Sequence, residues 1–118
     1  MQEIRRINSS RRMSSAVVFE NVAYLSGQIP DEGCATFEDQ TQSVLTKIEK
    51  ILINIGSSTD NILSATIWLS NPVYFEQFNK LWDNWIKLGA APARACVHSL
   101  LMKPGCDVEI SVTAACLA

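Results

Sequence analysis

The run Ala91-Pro92-Ala93-Arg94-Ala95-Cys96-Val97-His98-Ser99 sets a guanidinium, a thiol and the chain's one imidazole at alternate positions. In an extended strand alternate residues share a face, so Arg94, Cys96 and His98 fall on one side. Each brings a different chemistry. A guanidinium is permanently charged and planar, and it grips a carboxylate through two parallel hydrogen bonds. A thiol two residues away becomes a nucleophile if the cation lowers its pKa. An imidazole acts as a general base when it meets a hydroxyl such as Ser26 or Ser99. For Cys96 and His98 the blander readings, a small buried thiol and a structural or interface histidine, carry more weight. For Arg94 two partners stay open: Glu109 of the same chain, or a carboxylate on a ligand.

Other candidate chemistries are weaker. Cys34, Cys96, Cys106 and Cys116 contain no C-x-x-C pair, and with one histidine a zinc site would have to gather thiols from the whole chain. Reduced, mostly buried side chains are the simpler expectation. The Ser26-Gly27-Gln28 loop is too short for a phosphate-binding fingerprint. Trp82 and Trp85 sit at helical spacing with Phe78 and Leu81 and read as core, whereas Trp68 could line a cleft.

The chain carrying these groups has 118 residues, 47% hydrophobic and 19% charged, with net charge −2. That suits a single globular domain spanning 1–118. No apolar run has the ~18 residues of a membrane span, and the first residues lack the apolar centre of a secretory signal. A soluble, cytoplasmic protein is expected. Arg5, Arg6, Arg11 and Arg12 could form a basic arm for nucleic acid, but the rest of the chain is net acidic, which favours a solvated edge.

The elements that must position Arg94 follow from periodicity. Residues 3–7 are a weak strand candidate. Residues 17–19 and 22–25, joined by Glu20-Asn21, read as a hairpin, and 27–35 as a loop. Thr36 caps a helix with Glu38 and Asp39 in its first turn. Its apolar stripe is Val44, Leu45, Ile48, Ile51, Leu52 and Ile55, and Gly56 closes it. Residues 63–69 form a strand. Asn71-Pro72 starts a second helix, with Phe75, Phe78, Leu81, Trp82, Trp85 and Ile86 facing inward and Gly89 as its stop. Residues 93–99 and 107–115 are the last strands. The order predicts an α+β layer, with two helices on one face of a mixed sheet.

Alternation then assigns faces. Val108, Ile110, Val112 and Ala114 must meet the helices, which turns Glu109 away. Ala23 and Leu25 likewise leave Tyr24 and Ser26 on the helix-free side. Taking Ala95 and Val97 as the inward row of their strand puts Arg94 beside Glu109 and Ser26 on that same open face. The face is half apolar, so self-association is the expected way to cover it.

Three segments in register carry a resemblance. S-G-Q-I-P at 26–30, P-A-R-A-C-V at 92–97 and V-E-I at 108–110, with N-P-V-Y-F-E-Q-F-N-K-L-W after a strand, resemble the Rid proteins, the reactive intermediate deaminases or YjgF family. The resemblance implies a chorismate-mutase-like fold in a homotrimer, with clefts between neighbouring subunits. It implies hydrolysis of 2-imino or 2-enamino acids, such as 2-aminoacrylate, to 2-keto acids and ammonia, without metal or organic cofactor. On it, Arg94 grips the substrate carboxylate and Glu109 orients the attacking water, while Ser26 and Cys96 line the site. Met13 stands where the best-studied branch has a tyrosine, the loop after Pro30 looks shortened, and Met102-Lys103-Pro104-Gly105 replaces the usual leucine-proline turn. These departures point to a divergent branch. A non-catalytic binder or sensor of small carboxylates is the alternative, and an RNA- or translation-associated role a more distant one.

Overall fold

The computed structural model describes residues 3–116. Strands β1 (Arg5–Ile7), β2 (Ala16–Phe19) and β3 (Val22–Leu25) come first, then helix α1 (Phe37–Asn54) and strand β4 (Ile62–Leu69). Helix α2 (Phe75–Trp85) and strands β5 (Ala93–His98) and β6 (Val108–Ala115) complete the order. The six strands form one sheet in the order β1-β2-β3-β6-β4-β5. β4 and β5 run parallel, so the chain must cross over between them, and α2 is that crossover. The fold is mixed α+β, as the element pattern predicts.

Local chemistry accounts for the elements. Glu20 and Asn21 both have positive φ, 51° and 67°, the turn whose twist matches a two-residue hairpin. Thr36 Oγ1 accepts from the Asp39 N–H at 3.0 Å, capping α1 as predicted. Gly56, at φ +82°, ends that helix in a conformation that penalises a side chain. Asn71 Oδ1 accepts from the Val73 N–H at 2.9 Å and starts a 3-10 turn at Pro72–Tyr74 that runs into α2.

Two expectations for α2 need correction. Phe75 is 43% exposed and does not join its buried face. The helix also ends at Trp85 and not at Gly89. Ile86 turns extended (ψ 128°) and packs its side chain back on the core, and Gly89 serves the next turn, with φ +90°.

One apolar core lies between the sheet and both helices. Val44, Leu45, Ile48 and Leu52 of α1 and Phe78 and Trp82 of α2 meet Ala65, Ile67 and Leu69 of β4 and Val108, Ile110, Val112 and Ala114 of β6. Each large side chain so buried contributes about 1.5–3 kcal/mol against exposure. The smallest extent of the molecule is 21 Å, room for one sheet and one helical layer. The other sheet face is left open, with Tyr24 half exposed and Ser64, Thr66, Trp68, Glu109, Ser111 and Thr113 incompletely buried. Among the described residues no helix is long and apolar enough to cross a membrane.

Candidate functional site

Arg94 does not lie on the open face, and the expected grouping with Glu109 and Ser26 is corrected by the register. β5 pairs with β4 as Ala65↔Arg94, Ile67↔Cys96 and Leu69↔His98. Partners across a ladder share a face, so Arg94, Cys96 and His98 stand on the helix side. Ala93, Ala95 and Val97 share the open face with Ser64, Thr66 and Trp68. The alternation was right and its phase was wrong. β5 is an edge strand with only Cys96 partly buried, so burial on neither side forces the apolar row inward. This also explains how a guanidinium stands on a strand of apolar composition: the strand is not buried.

The surroundings of Arg94 are specific. Its Nη2 donates to Asn79 Oδ1 of α2 at 2.8 Å. Its Cζ lies 5.9 Å from the Phe78 ring centroid and 5.6 Å from that of Trp82, within cation–π range. Phe78 and Trp82 are thus core side chains, as predicted, and also the floor beneath the guanidinium. Asn79 gave no signal in the sequence, because an amide on an amphipathic helix reads as a solvated position.

Cys96 follows Arg94 on the same face. Burial pushes its thiol pKa up, and the smaller pull of the Arg94 charge does not cancel this. It is therefore a poor nucleophile at neutral pH, in line with the blander reading. His98 is exposed on the same side.

Glu109 pairs with Trp68 across the β4–β6 ladder on the open face. Gln28 bridges to Ile110, donating at 2.8 Å and accepting at 3.1 Å, which lays Gly27 alongside Glu109. A Cβ on Gly27 would collide with Glu109 Oε2. Gly27 is needed there for space, a constraint between residues 82 positions apart that no local motif reveals. Ser26 Oγ donates to the Ser14 carbonyl, and the Ser26 N–H donates to that of Ser15 at 3.0 Å. These bonds pin the 9–15 loop next to Gly27 and bring along Met13, which is 54% exposed.

Ser26, Gly27, Glu109, Trp68 and the Met13 loop thus belong to the open face and its end, and Arg94 with Cys96 to the helix side of one edge. The described ion pairs are Lys47–Asp31, Lys87–Asp60 and Lys103–Glu32; an Arg94–Glu109 pair is not among them. A hollow of about 260 Å³ between the 30–34 loop and the 103–106 turn is lined by none of Met13, Ser26, Arg94, Cys96 and Glu109.

The family model for endoribonuclease L-PSP matches residues 3–116. A RutC family protein of Haemophilus influenzae is 39% identical over 117 residues, covering 96% of this chain and 98% of that one. The RutC family protein YoaB of Escherichia coli is 38% identical over 112 residues, covering 95% and 97%. Among solved structures, a YjgF family member from Neisseria meningitidis superposes with TM-score 0.94 at 36% identity, over 98% of this chain and 97% of that one.

Proposed function

The chain belongs to the endoribonuclease L-PSP family, that of the YjgF and Rid proteins, and from that premise we propose that it is a hydrolytic deaminase of 2-imino and 2-enamino acids. The substrates are small, such as 2-aminoacrylate, and the products are a 2-keto acid and ammonia. The reaction takes place between copies of the chain in a chorismate-mutase-like homotrimer in the cytoplasm.

The observation that carries this reading is that Arg94 and Glu109 lie on opposite faces of the sheet, with Arg94 held by a neutral amide and not by Glu109. The cation keeps its charge for an outside carboxylate. One chain cannot bring both groups to one small molecule, because the sheet lies between them. Two copies do so when the β5 edge of one borders the open face of the next, and three copies close the ring. Tyr24, Trp68 and Val97 supply apolar surface for that contact, and large apolar surfaces rarely stay in water.

The chemistry asks little of the protein. Arg94 holds the carboxylate through its planar fork of donors, and Glu109 of the neighbouring copy accepts a hydrogen bond from water and aims it at the C=N carbon. Attack gives a carbinolamine. The water proton passes to nitrogen, the C–N bond breaks as the C=O forms, and ammonia leaves. Orientation supplies much of the rate, and proton transfer adds about 10²–10⁴-fold. Met13, beside the Ser26 loop, offers an apolar contact to the substrate side chain.

The test is keto-acid release from 2-aminoacrylate generated by a dehydratase. The protein should accelerate release, and Arg94→Ala should abolish the acceleration while light scattering still reports a trimer. Unchanged activity in that variant, or a monomeric wild type, refutes the proposal. The separation of the two groups also favours a second reading, a binder of 2-keto acids that uses the arginine half alone. Calorimetric binding of pyruvate without turnover would select it.

A further inference from the structure

We infer that Arg11 and Arg12 give the proposed cleft an anion-attracting rim, so that it prefers 2-imino acids with an acidic side chain, an inference that rests on reading Glu109 and Arg94 as the two halves of that cleft. The two arginines form the tip of the loop between β1 and β2. The Ser15 N–H donates to the Ile7 carbonyl at 2.9 Å, and the Ser10 N–H to the Met13 carbonyl at 2.8 Å, which closes the neck of the loop. Ser10 Oγ accepts from the N–H groups of Arg12 and Met13, both at 3.3 Å. The tip is thus held in shape while Arg11 and Arg12 stay exposed.

The strand register places this tip at the end of the sheet that carries Glu109. Ser14 and Ser15 accept hydrogen bonds from Ser26, and Gln28 pairs with Ile110. The segments 13–15, 26–28 and 109–110 therefore lie side by side. Neighbouring strands are about 4.8 Å apart, which sets the loop roughly 10 Å from Glu109. The charges of this region are settled unevenly. Asp31 pairs with Lys47 and Glu32 with Lys103, whereas Arg11 and Arg12 take part in none of the described ion pairs. With Ser10 they line an open hollow of about 450 Å³. The chain as a whole has net charge −2, so the positive charge here is local. With the first carboxylate on Arg94 and the substrate side chain beside Met13, a second carboxylate at the end of that side chain meets the rim. Two positive charges at about 5–10 Å in water favour an anion by roughly 4- to 15-fold, and a cleft focuses such a field further.

The test compares 2-ketoglutarate with 2-ketopentanoate, which has the same chain length and no second charge. Calorimetry at low salt should show 2-ketoglutarate bound about 4- to 15-fold more tightly by the wild-type protein. Arg11→Gln with Arg12→Gln should remove that preference and change 2-ketopentanoate binding by less than the preference lost. Salt near 1 M, where charges are screened beyond about 3 Å, should remove most of it as well. Arg5→Gln with Arg6→Gln takes the same charge from β1, where these residues pair with Val18 and Val17, and should keep most of the preference. Equal affinity for the two keto acids in the wild type, with Arg94→Ala weakening both, overturns this inference and leaves the cleft standing. A preference that survives Arg11→Gln with Arg12→Gln, or that falls equally with the β1 pair, also overturns it. A wild type that binds neither keto acid and turns over no 2-aminoacrylate overturns the inference and the cleft together.

Discussion

Replacing Gly27 by alanine separates the position of Glu109 from the stability of the fold. The new Cβ would overlap Oε2 and stand 3.0 Å from Cδ and 3.3 Å from Cγ of Glu109. Non-bonded atoms rest near 3.5–4 Å, so the carboxylate must swing aside by about 1 Å or more. It is the end of a flexible side chain, and the cost is that of a displaced rotamer, about 0.5–1.5 kcal/mol. Alanine stiffens the unfolded chain and offsets about 0.4–1 kcal/mol of this. The net fall in Tm should therefore be no more than roughly 5 °C. The effect on chemistry is larger, because a shift of about 1 Å in a reacting group costs on the order of 100-fold. Turnover of 2-aminoacrylate and thermal melting, measured on the same preparation, should show activity falling about a hundredfold with little loss of stability. In a Glu109→Gln background Gly27→Ala should add little further loss. Wild-type turnover in Gly27→Ala would mean that Glu109 does not act from this position.

Three further outcomes follow from the local contacts. Gln40→Ala should destabilise by about 1–3 kcal/mol in chemical denaturation, since Gln40 accepts from the Asp107 N–H at 2.8 Å and donates to the Gly105 carbonyl at 3.0 Å from a buried position; a change near zero would mean that water replaces both bonds. Thr36→Ala should cost about 1 kcal/mol through loss of the α1 cap, and Thr36→Ser should restore it. Burial raises the Cys96 pKa above its ordinary 9.0, so alkylation should be slow at pH 7 and quicken only as pH climbs past 9. The same shift favours the folded state fully below 9, and that advantage fades as pH rises from 9 through the folded pKa. Rapid labelling of Cys96 at pH 7, against an unfolded control, would contradict the burial.

What the sequence made legible follows physical rules of short range. The Thr36 cap, the Glu20-Asn21 turn and the Val44–Leu52 stripe each depend on neighbours within about one or two helical turns or a hairpin, and all stand where the pattern puts them. The faces of β3, β4 and β6 were legible because one side of each is buried. β5 escaped the same logic because an edge strand buries neither side fully, so Ala95 and Val97 carried no information about phase. The end of α2 turned on whether Ile86 gains more by packing on the core than by continuing the helix, which depends on what the rest of the chain places beneath it. Gly27 against Glu109 and Asn79 against Arg94 are contacts between distant segments, and no pattern within either segment reports them.

The parallel pairing of β5 has a kinetic consequence. Such a strand cannot zip up from a tight turn; it joins only after the 70–92 crossover has been laid down. It then has a neighbour on one side only, so its amides should exchange with deuterium ahead of those in β4 and β6. Arg94 rides on an edge strand, which opens more readily in an isolated chain than the central strands β4 and β6. In the proposed assembly, docking of a sister chain along that margin would slow the exchange, so deuterium uptake across β5 would serve as a clock for it.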